Sequence, residues 1–316
     1  GYSQEPLTNY SLFYEAKVNT LVDSVIGDIR DYKFLESNIK NFAPEIIFHM
    51  AAQPLVRQSY KDPLDTFETN LMGTANLLEI VRGCEFVEAL INVTTDKCYN
   101  NKEILKGYVE TDELGGKDPY SSSKACSELI TQAYRESFFK ERKIGIATAR
   151  AGNVLGGGDW AKDRLIPDIF KNIQDKSILK LRNPNSIRPW QYVLDLLNGY
   201  LLLAENLSKD FSKFSGAWNF GPVGPNPRTV EWVAKYLSSK IDGFQFIIEN
   251  KNSNPFESNL LNLDVSKAIN LLNWFPKVDI EQTLTNVIEW HKSWNNKENS
   301  LTYCLKEIDK FKLLNV

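Results

Sequence analysis

Histidine and cysteine are scarce and scattered in this sequence. Only His49 and His291, and Cys84, Cys98, Cys126 and Cys304, occur in 316 residues, and no two cysteines form a CxxC pair. That argues against a zinc site or a disulfide framework and makes a reduced, cytoplasmic protein the simplest expectation. No apolar run approaches the roughly 18 residues of a membrane span, and no basic start followed by an apolar core resembles a signal peptide. No run of lysines and arginines is present, and the formal net charge is -3. Nothing in that balance attracts a phosphate backbone. Neither nucleic acid nor membrane is therefore an expected partner, and no metal is expected.

The absence with most consequence is a glycine-rich loop near the start. A doubly wound dinucleotide-binding domain opens with a strand and then GxGxxG or GxxGxxG, whose glycines let the backbone touch a pyrophosphate at a helix N-terminus. This chain begins GYSQEP, and its glycine cluster at residues 156–158 follows a late strand and precedes Asp159. Either the protein binds no dinucleotide, or the sequence starts after the first strand, loop and helix; the later features favour the second. The missing strand would be central, so a split sheet with unpaired edges is expected. With it goes the expectation that these residues alone bind a dinucleotide poorly or fold badly.

What is present is an alternation of short apolar runs with helical patterns, the signature of a parallel sheet wrapped by helices. Residues 45–50 (EIIFHM), 88–93 (EALINV) and 144–149 (IGIATA) read as strands. Residues 63–81 read as a helix opened by Pro63 and ending before Gly83. A second helix covers residues 120–139, with Leu129, Ile130, Ala133 and Phe138 on one face. The fold class is α/β, a Rossmann-like doubly wound parallel sheet with a smaller C-terminal substrate lobe. Residues 1–158 form the dinucleotide domain without its first βα unit, with a return segment near 188–222. Residues 159–187 and 223–316 form the substrate lobe, which closes over the carboxyl ends of the strands.

Tyr120 and Lys124 stand four apart in DPYSSSKACSE, behind Pro119, so both lie on one helical face. A lysine ammonium beside a phenol favours phenolate and turns the tyrosine into a usable base for a hydroxyl. The preceding strand ends in NVTTDKCYN, where Thr94, Thr95, Asp96 and Lys97 face the same cleft. Lys97 reads either as a base, which requires a neutral amine, or simply as the ion partner of Asp96. Asp28 in GDIRD follows a strand and can accept from an adenine amino group, or else cap a turn. The small residues of HMAAQ (49–53) let a flat cofactor lie against the backbone. Arg164 and Arg188 suit diphosphate oxygens, or alternatively form surface salt bridges. Trp160, Trp190 and Trp218 are stacking or packing residues, with packing expected for Trp218. Neither His49 nor His291 is given a catalytic role.

These residues resemble the extended short-chain dehydrogenase/reductase family, and within it the nucleotide-sugar 4,6-dehydratases. The resemblance rests on VTTDKCY, DPYSSSKACSE, RAGNVLGGGDW and IRPWQYV, and runs essentially from Gly1 to the WHKSW segment at Trp290. It implies a bound NAD, a substrate such as CDP-glucose, and a product destined for surface-polysaccharide (O-antigen) sugars. It further implies that Tyr120 takes the proton of the sugar 4-hydroxyl, Thr95 hydrogen-bonds that oxygen, and Lys124 also holds the nicotinamide ribose. Asp96 would protonate the departing 6-hydroxyl and Lys97, where the dTDP-sugar enzymes carry glutamate, would be the C5 base. Asp28 and Ile29 match the adenine contact. Ala51, Ala52 and Gln53 match the run beside the cofactor, Asn70 and Thr94 further cofactor positions, and Asn153 a contact to cofactor and sugar. Arg164, Arg188 and Gln191 are matched to the substrate. A homodimer or homotetramer through the long helices starting at Pro63 and Tyr120 is implied as well.

Overall fold

The structure, a computed structural model, describes residues 1–4, 11–104, 106–224, 228–249 and 260–314. Its first two strands, β1 (Tyr2–Ser3) and β2 (Val25–Ile26), pair in parallel as a sheet of their own. A second, all-parallel sheet is built from β3 (Ile46–His49), β4 (Ala89–Val93), β5 (Gly145–Ala151) and β6 (Gly216–Phe220), in the order β6-β5-β4-β3. Among the described residues no strand pairs these two sheets with each other. Ile46 and Phe48 of the edge strand β3 are exposed, whereas every residue of β5 is buried.

The two faces of this sheet are packed in different ways. Leu90 and Ile146 point toward Leu77, Leu78, Val81 and Phe139. Ala89, Ile91, Ala147 and Ala149 point the other way, where the three alanines leave room for Leu203, Leu207, Trp218 and Trp274. Alternation of this kind, with both faces covered, is what a parallel strand requires. Register then aligns the strand ends: His49 lies beside Asn92, Val93 beside Ala149, and Ala151 beside Phe220.

The helix Pro119–Tyr134 departs from its expected orientation. Leu129 is 53 % exposed and Phe138, in the π-helical turn that follows, 41 % exposed. The buried face carries Tyr120, Ser123, Lys124, Ser127, Glu128 and Thr131 instead. These polar groups are accepted in the interior because they are paired: Asn92 donates to the hydroxyls of Ser127 and Thr131, and Thr74 meets Ser127 at 3.1 Å. Hydrogen bonding to the sheet, rather than apolar contact, orients this helix.

A second lobe has its own core, in which Ile166, Ile169, Phe170 and Leu181 meet Val233, Leu237, Leu284 and Val287. Its boundary differs from the expected one. Leu261, Leu263, Val265, Ala268 and Trp274 pack into the first lobe's core, because Asn219 at the end of β6 donates to the carbonyl of Asp264 and Tyr108 pairs with Leu263. Of the segment expected in that lobe, residues 225–227, 250–259 and 315–316 lie outside those described. Trp218 is fully buried in the first core as expected, and Trp160 packs against Trp290, His291 and Trp294. Among the described residues no helix is long and apolar enough to cross a membrane.

Candidate active site

A cavity of about 600 Å³ opens at the carboxyl ends of β4 and β5, between the two lobes. Open α/β sheets bind ligands at such a place. Its floor is Thr94, Thr95, Asp96 and Lys97, the residues that follow β4. One side is the start of the helix Pro119–Tyr134, where Asp118 caps the first turn by accepting from the backbone N–H of Ser121 at 2.9 Å. Proline at the first position costs no hydrogen bond there, and the cap satisfies an amide the helix leaves unpaired. Tyr120 is fixed further by its own N–H, which donates to Ser59 Oγ at 3.1 Å.

The three residues after Thr94 form a compact cluster. The Thr95 hydroxyl donates to Asp96 Oδ1 at 3.0 Å and accepts from the N–H of Lys97 at 3.3 Å. Lys97 Nζ lies 3.8 Å from the same carboxylate oxygen. Asp96 is buried, and its other oxygen, Oδ2, has no hydrogen-bond partner among the described residues. That oxygen lies against Gly152. A Cβ built there would stand 3.1 Å from Oδ2 and 2.1 Å from Pro189 Cγ, so the close approach of this segment to β5 demands glycine.

The tyrosine and lysine share one buried helical face but are held by different partners. Lys124 Nζ donates to the carbonyl of Val93 at 3.0 Å. Burial pushes its pKa down to about 8, against the attraction of Glu128. Tyr120 is pushed up to about 12, chiefly by burial; the hydrogen bond with Thr95 lowers it, and the charge of Asp96 raises it again. The Thr95 hydroxyl is the group that lowers the phenol, and the Lys124 ammonium is held by the strand-end carbonyl.

The opposite wall belongs to the second lobe and is ionic. Asp163 meets Arg182 at 3.0 Å and Arg57 at 3.8 Å, while Arg164 lies 3.5 Å from Asp159. Arg188 is buried beside Trp190 at the same wall and donates to the carbonyl of Ile187. Trp190 is anchored by its indole N–H, which donates to the carbonyl of Arg228.

The cavity therefore gathers Thr94, Thr95, Asp96, Lys97, Tyr120, Asn153, Arg164 and Arg188 from the expected residues. Asn153 Oδ1 is buried and has no hydrogen-bond partner among the described residues. Gln191 does not reach the cavity: its amide donates to the carbonyl of Phe220, which turns the side chain into the fold, contrary to expectation. Ile29 is a core residue packed on Leu77 and against Gly73. Asp28 is engaged by Arg30 at 2.6 Å, and that hydrogen bond holds its carboxyl below the usual range. Ala51, Ala52 and Gln53 follow β3, with the backbone of Gln53 clasped from both sides by the Asn70 amide at 2.7 and 3.1 Å. Asn70 itself sits in a π-helical turn, Glu68–Met72. Arg57, in the helix Val56–Lys61, and Arg182, directly after the strand Leu179–Leu181, went unread in the sequence. Among the described residues no cluster of histidine, cysteine and carboxylates is arranged to hold a metal.

The family described as GDP-mannose 4,6 dehydratase matches residues 6–287. A CDP-glucose 4,6-dehydratase of Salmonella typhimurium is 45 % identical over 98 % of this chain and 88 % of its own length. A dTDP-glucose 4,6-dehydratase of Escherichia coli is 27 % identical over 86 % of this chain and 79 % of its own. Among solved structures, a UDP-glucuronic acid 4-epimerase from Bacillus cereus, in complex with UDP-glucuronic acid and NAD, superposes with a TM-score of 0.77 at 20 % identity. It covers 93 % of this chain and 91 % of its own. The dTDP-glucose 4,6-dehydratase DesIV from Streptomyces venezuelae gives 0.73 at 22 % identity, over 90 % and 85 %. At such identities these two structures bear on the fold alone.

Proposed function

The chain belongs to the GDP-mannose 4,6 dehydratase family, and from that premise we propose that it converts CDP-glucose to CDP-4-dehydro-6-deoxyglucose. The observation that carries the reading is the Asp96–Lys97 pair at the floor of a cavity whose side is Tyr120. An epimerase needs the tyrosine and has no use for an acid and an amine at the strand end. The 45 % identity to the Salmonella enzyme supports CDP as the nucleotide.

NAD fits the residues at one end of this site. The orphaned Oδ1 of Asn153, the shared helical face of Tyr120 and Lys124, and the Gln53 backbone clasped by Asn70 offer polar groups along one path beside the sheet. Tyr120, Lys124, Thr94 and Asn153 would hold the nicotinamide end, Ala51, Ala52, Gln53 and Asn70 the middle, and Asp28 with the Ile29 backbone the adenine. When bound, NAD supplies a reversible hydride acceptor.

The chain's own groups supply the proton transfers. Tyr120 takes the proton of the 4-hydroxyl while C4 gives up a hydride, and Thr95 donates to the resulting ketone oxygen. Lys97 as a neutral amine removes the C5 proton, which the neighbouring ketone acidifies. Asp96, protonated, gives its proton to the 6-hydroxyl, which leaves as water. Hydride returned at C6 and a proton at C5 complete the product, so the net change is loss of water with no external oxidant. A base works at a carbon acid only when positioned, and the segment 95–97 is held by its own hydrogen bonds. Arg164, Arg188 and Arg182 are matched to the diphosphate because guanidinium forks suit its oxygens.

The same reading includes a homo-oligomer of cytoplasmic location, associating through Leu64, Met72, Leu129 and Phe138, which are exposed on or just after the long helices. Incubation with CDP-glucose, dTDP-glucose and UDP-glucose tests the activity: a 4-keto-6-deoxy product from CDP-glucose is expected, and an unchanged 6-hydroxyl sinks the proposal. Lys97→Met should leave C4 oxidation intact and stop solvent exchange at C5; exchange at the normal rate would reduce Lys97 to a partner of Asp96.

A further inference from the structure

The segment that bears Thr95, Asp96 and Lys97 is tied at both ends to one buried ion pair. Before it, the Thr94 hydroxyl donates to Glu128 Oε1 at 2.5 Å. After it, the Tyr99 hydroxyl accepts from Arg150 Nη1 at 2.9 Å and donates to Asn219 Oδ1 at 2.7 Å. Glu128 Oε2 closes the circuit by accepting from Arg150 Nη2 and from the Thr148 hydroxyl, both at 2.7 Å. Three strands and the helix that carries Tyr120 and Lys124 meet in this network. Neither Glu128, Arg150 nor Tyr99 lines the cavity.

A buried ion pair is a poor device for stability, since desolvating both charges offsets most of their attraction and apolar residues of similar size do as well. What such a pair gives is direction: each charge is satisfied in one geometry only. Here the carboxylate and the guanidinium, with side chains only 3 % and 4 % exposed, meet at 2.7 Å. Glu128 also stands one helical turn beyond Lys124, and its charge raises the lysine pKa against the depressing effect of burial.

We propose that Glu128, Arg150 and Tyr99 are positioning residues for the elimination half of the reaction, holding Asp96 and Lys97 in register with Tyr120. The inference rests on the dehydratase reading above. Its content is a division of labour: Tyr120 and Lys124 are placed by their helix, whereas the acid and the C5 base are placed by the tether. Loosening the tether therefore separates the two halves of the cycle.

Tyr99→Phe loosens it with least disturbance. The variant keeps the ring under the Arg150 guanidinium, 4.9 Å from its centroid, and stacked on Tyr108 at 5.1 Å. Arg150 Nη1 retains the Glu110 carbonyl at 3.0 Å. The measurement is the ratio of C5 solvent exchange to C4 oxidation with CDP-glucose, beside KM and the thermal midpoint. A displacement of the order of an ångström costs up to about 100-fold in rate, so the ratio should fall at least about tenfold while C4 oxidation and KM hold. Thr148→Val removes the hydroxyl from which Glu128 Oε2 accepts, outside the cavity, and should show the same split, so a folding failure in one variant leaves the ratio readable in the other. Glu128→Gln gives a readout that packing alone would not move: the alkaline limb of C4 oxidation shifts to lower pH, because Lys124 loses the charge that supports its ammonium. An unchanged ratio, or equal loss of both steps, in either tether variant overturns the proposal. Failure of the wild-type protein to form a 4-keto-6-deoxy sugar overturns the dehydratase reading instead.

Discussion

The two walls of the cavity treat charge in opposite ways. Behind the sheet-side wall, and without lining the cavity themselves, Arg150 and Glu128 are sealed from water and locked by hydroxyls of Thr94, Thr148 and Tyr99. On the side of the second lobe, Arg164 pairs with Asp159 at 3.5 Å with its side chain 44 % exposed, and Arg182 reaches Asp163 at 3.0 Å from a side chain 27 % exposed. A buried pair cannot trade its partner for water and so fixes atoms in place. A half-exposed pair is worth about 0–1 kcal/mol and exchanges readily. On the proposed reading, the difference separates chemistry from recognition: proton transfer belongs to the rigid wall, and displacement of carboxylates by phosphate oxygens to the loose one.

That contrast sets the sizes of the expected effects. Tyr120→Phe removes the proposed base at the rigid wall, and C4 oxidation should fall by about 10² to 10⁴ in single-turnover measurements. A smaller loss would mean another group accepts the proton. Arg150→Met leaves Glu128 buried without its cation and should cost about 3–5 kcal/mol in denaturant unfolding; a cost below 1 kcal/mol would show that the wall is not rigid. At the loose wall, Arg182→Ala should raise KM for CDP-glucose about tenfold, the worth of a charged hydrogen bond, with kcat nearly unchanged. Arg164→Ala should alter folding stability by no more than about 0.5 kcal/mol, as surface changes do.

The pH dependence follows from Lys124. Burial depresses its pKa to about 8, so it is an ammonium below that pH and an amine above it. Where the ammonium is required, C4 oxidation should decline above about pH 8, near tenfold per unit. For stability the sign is opposite. Between about 8 and the ordinary 10.5 the folded state binds fewer protons than the unfolded one, so this group's contribution rises with pH across that window.

Much of the sheet side was legible because parallel strands announce themselves as apolar runs. Residues 45–50, 88–93 and 144–149 read as strands, and the structure has Ile46–His49, Ala89–Val93 and Gly145–Ala151. Tyr120 and Lys124 were placed on one helical face by spacing alone. The orientation of that helix was misread, since periodicity equates burial with apolarity, whereas this helix buries serines, a threonine, a lysine and a glutamate. Glu128 and Arg150 were missed for a related reason: their meaning is a contact between a helix and a strand, with no local pattern to mark it. Tyr99 and Asn219 are joined across 120 positions. Gln191 was matched to the substrate through the resemblance, yet the pairing of Gln191–Tyr192 with Val154–Leu155 turns it inward.

The internal redox cycle is tested most directly by tracing one hydrogen. CDP-glucose carrying deuterium at C4 is incubated with the protein in ordinary water, and the product is read by NMR. The account predicts deuterium at C6 of a 4-keto-6-deoxy sugar and a solvent proton at C5. Deuterium still at C4, beside an intact 6-hydroxyl, would contradict it.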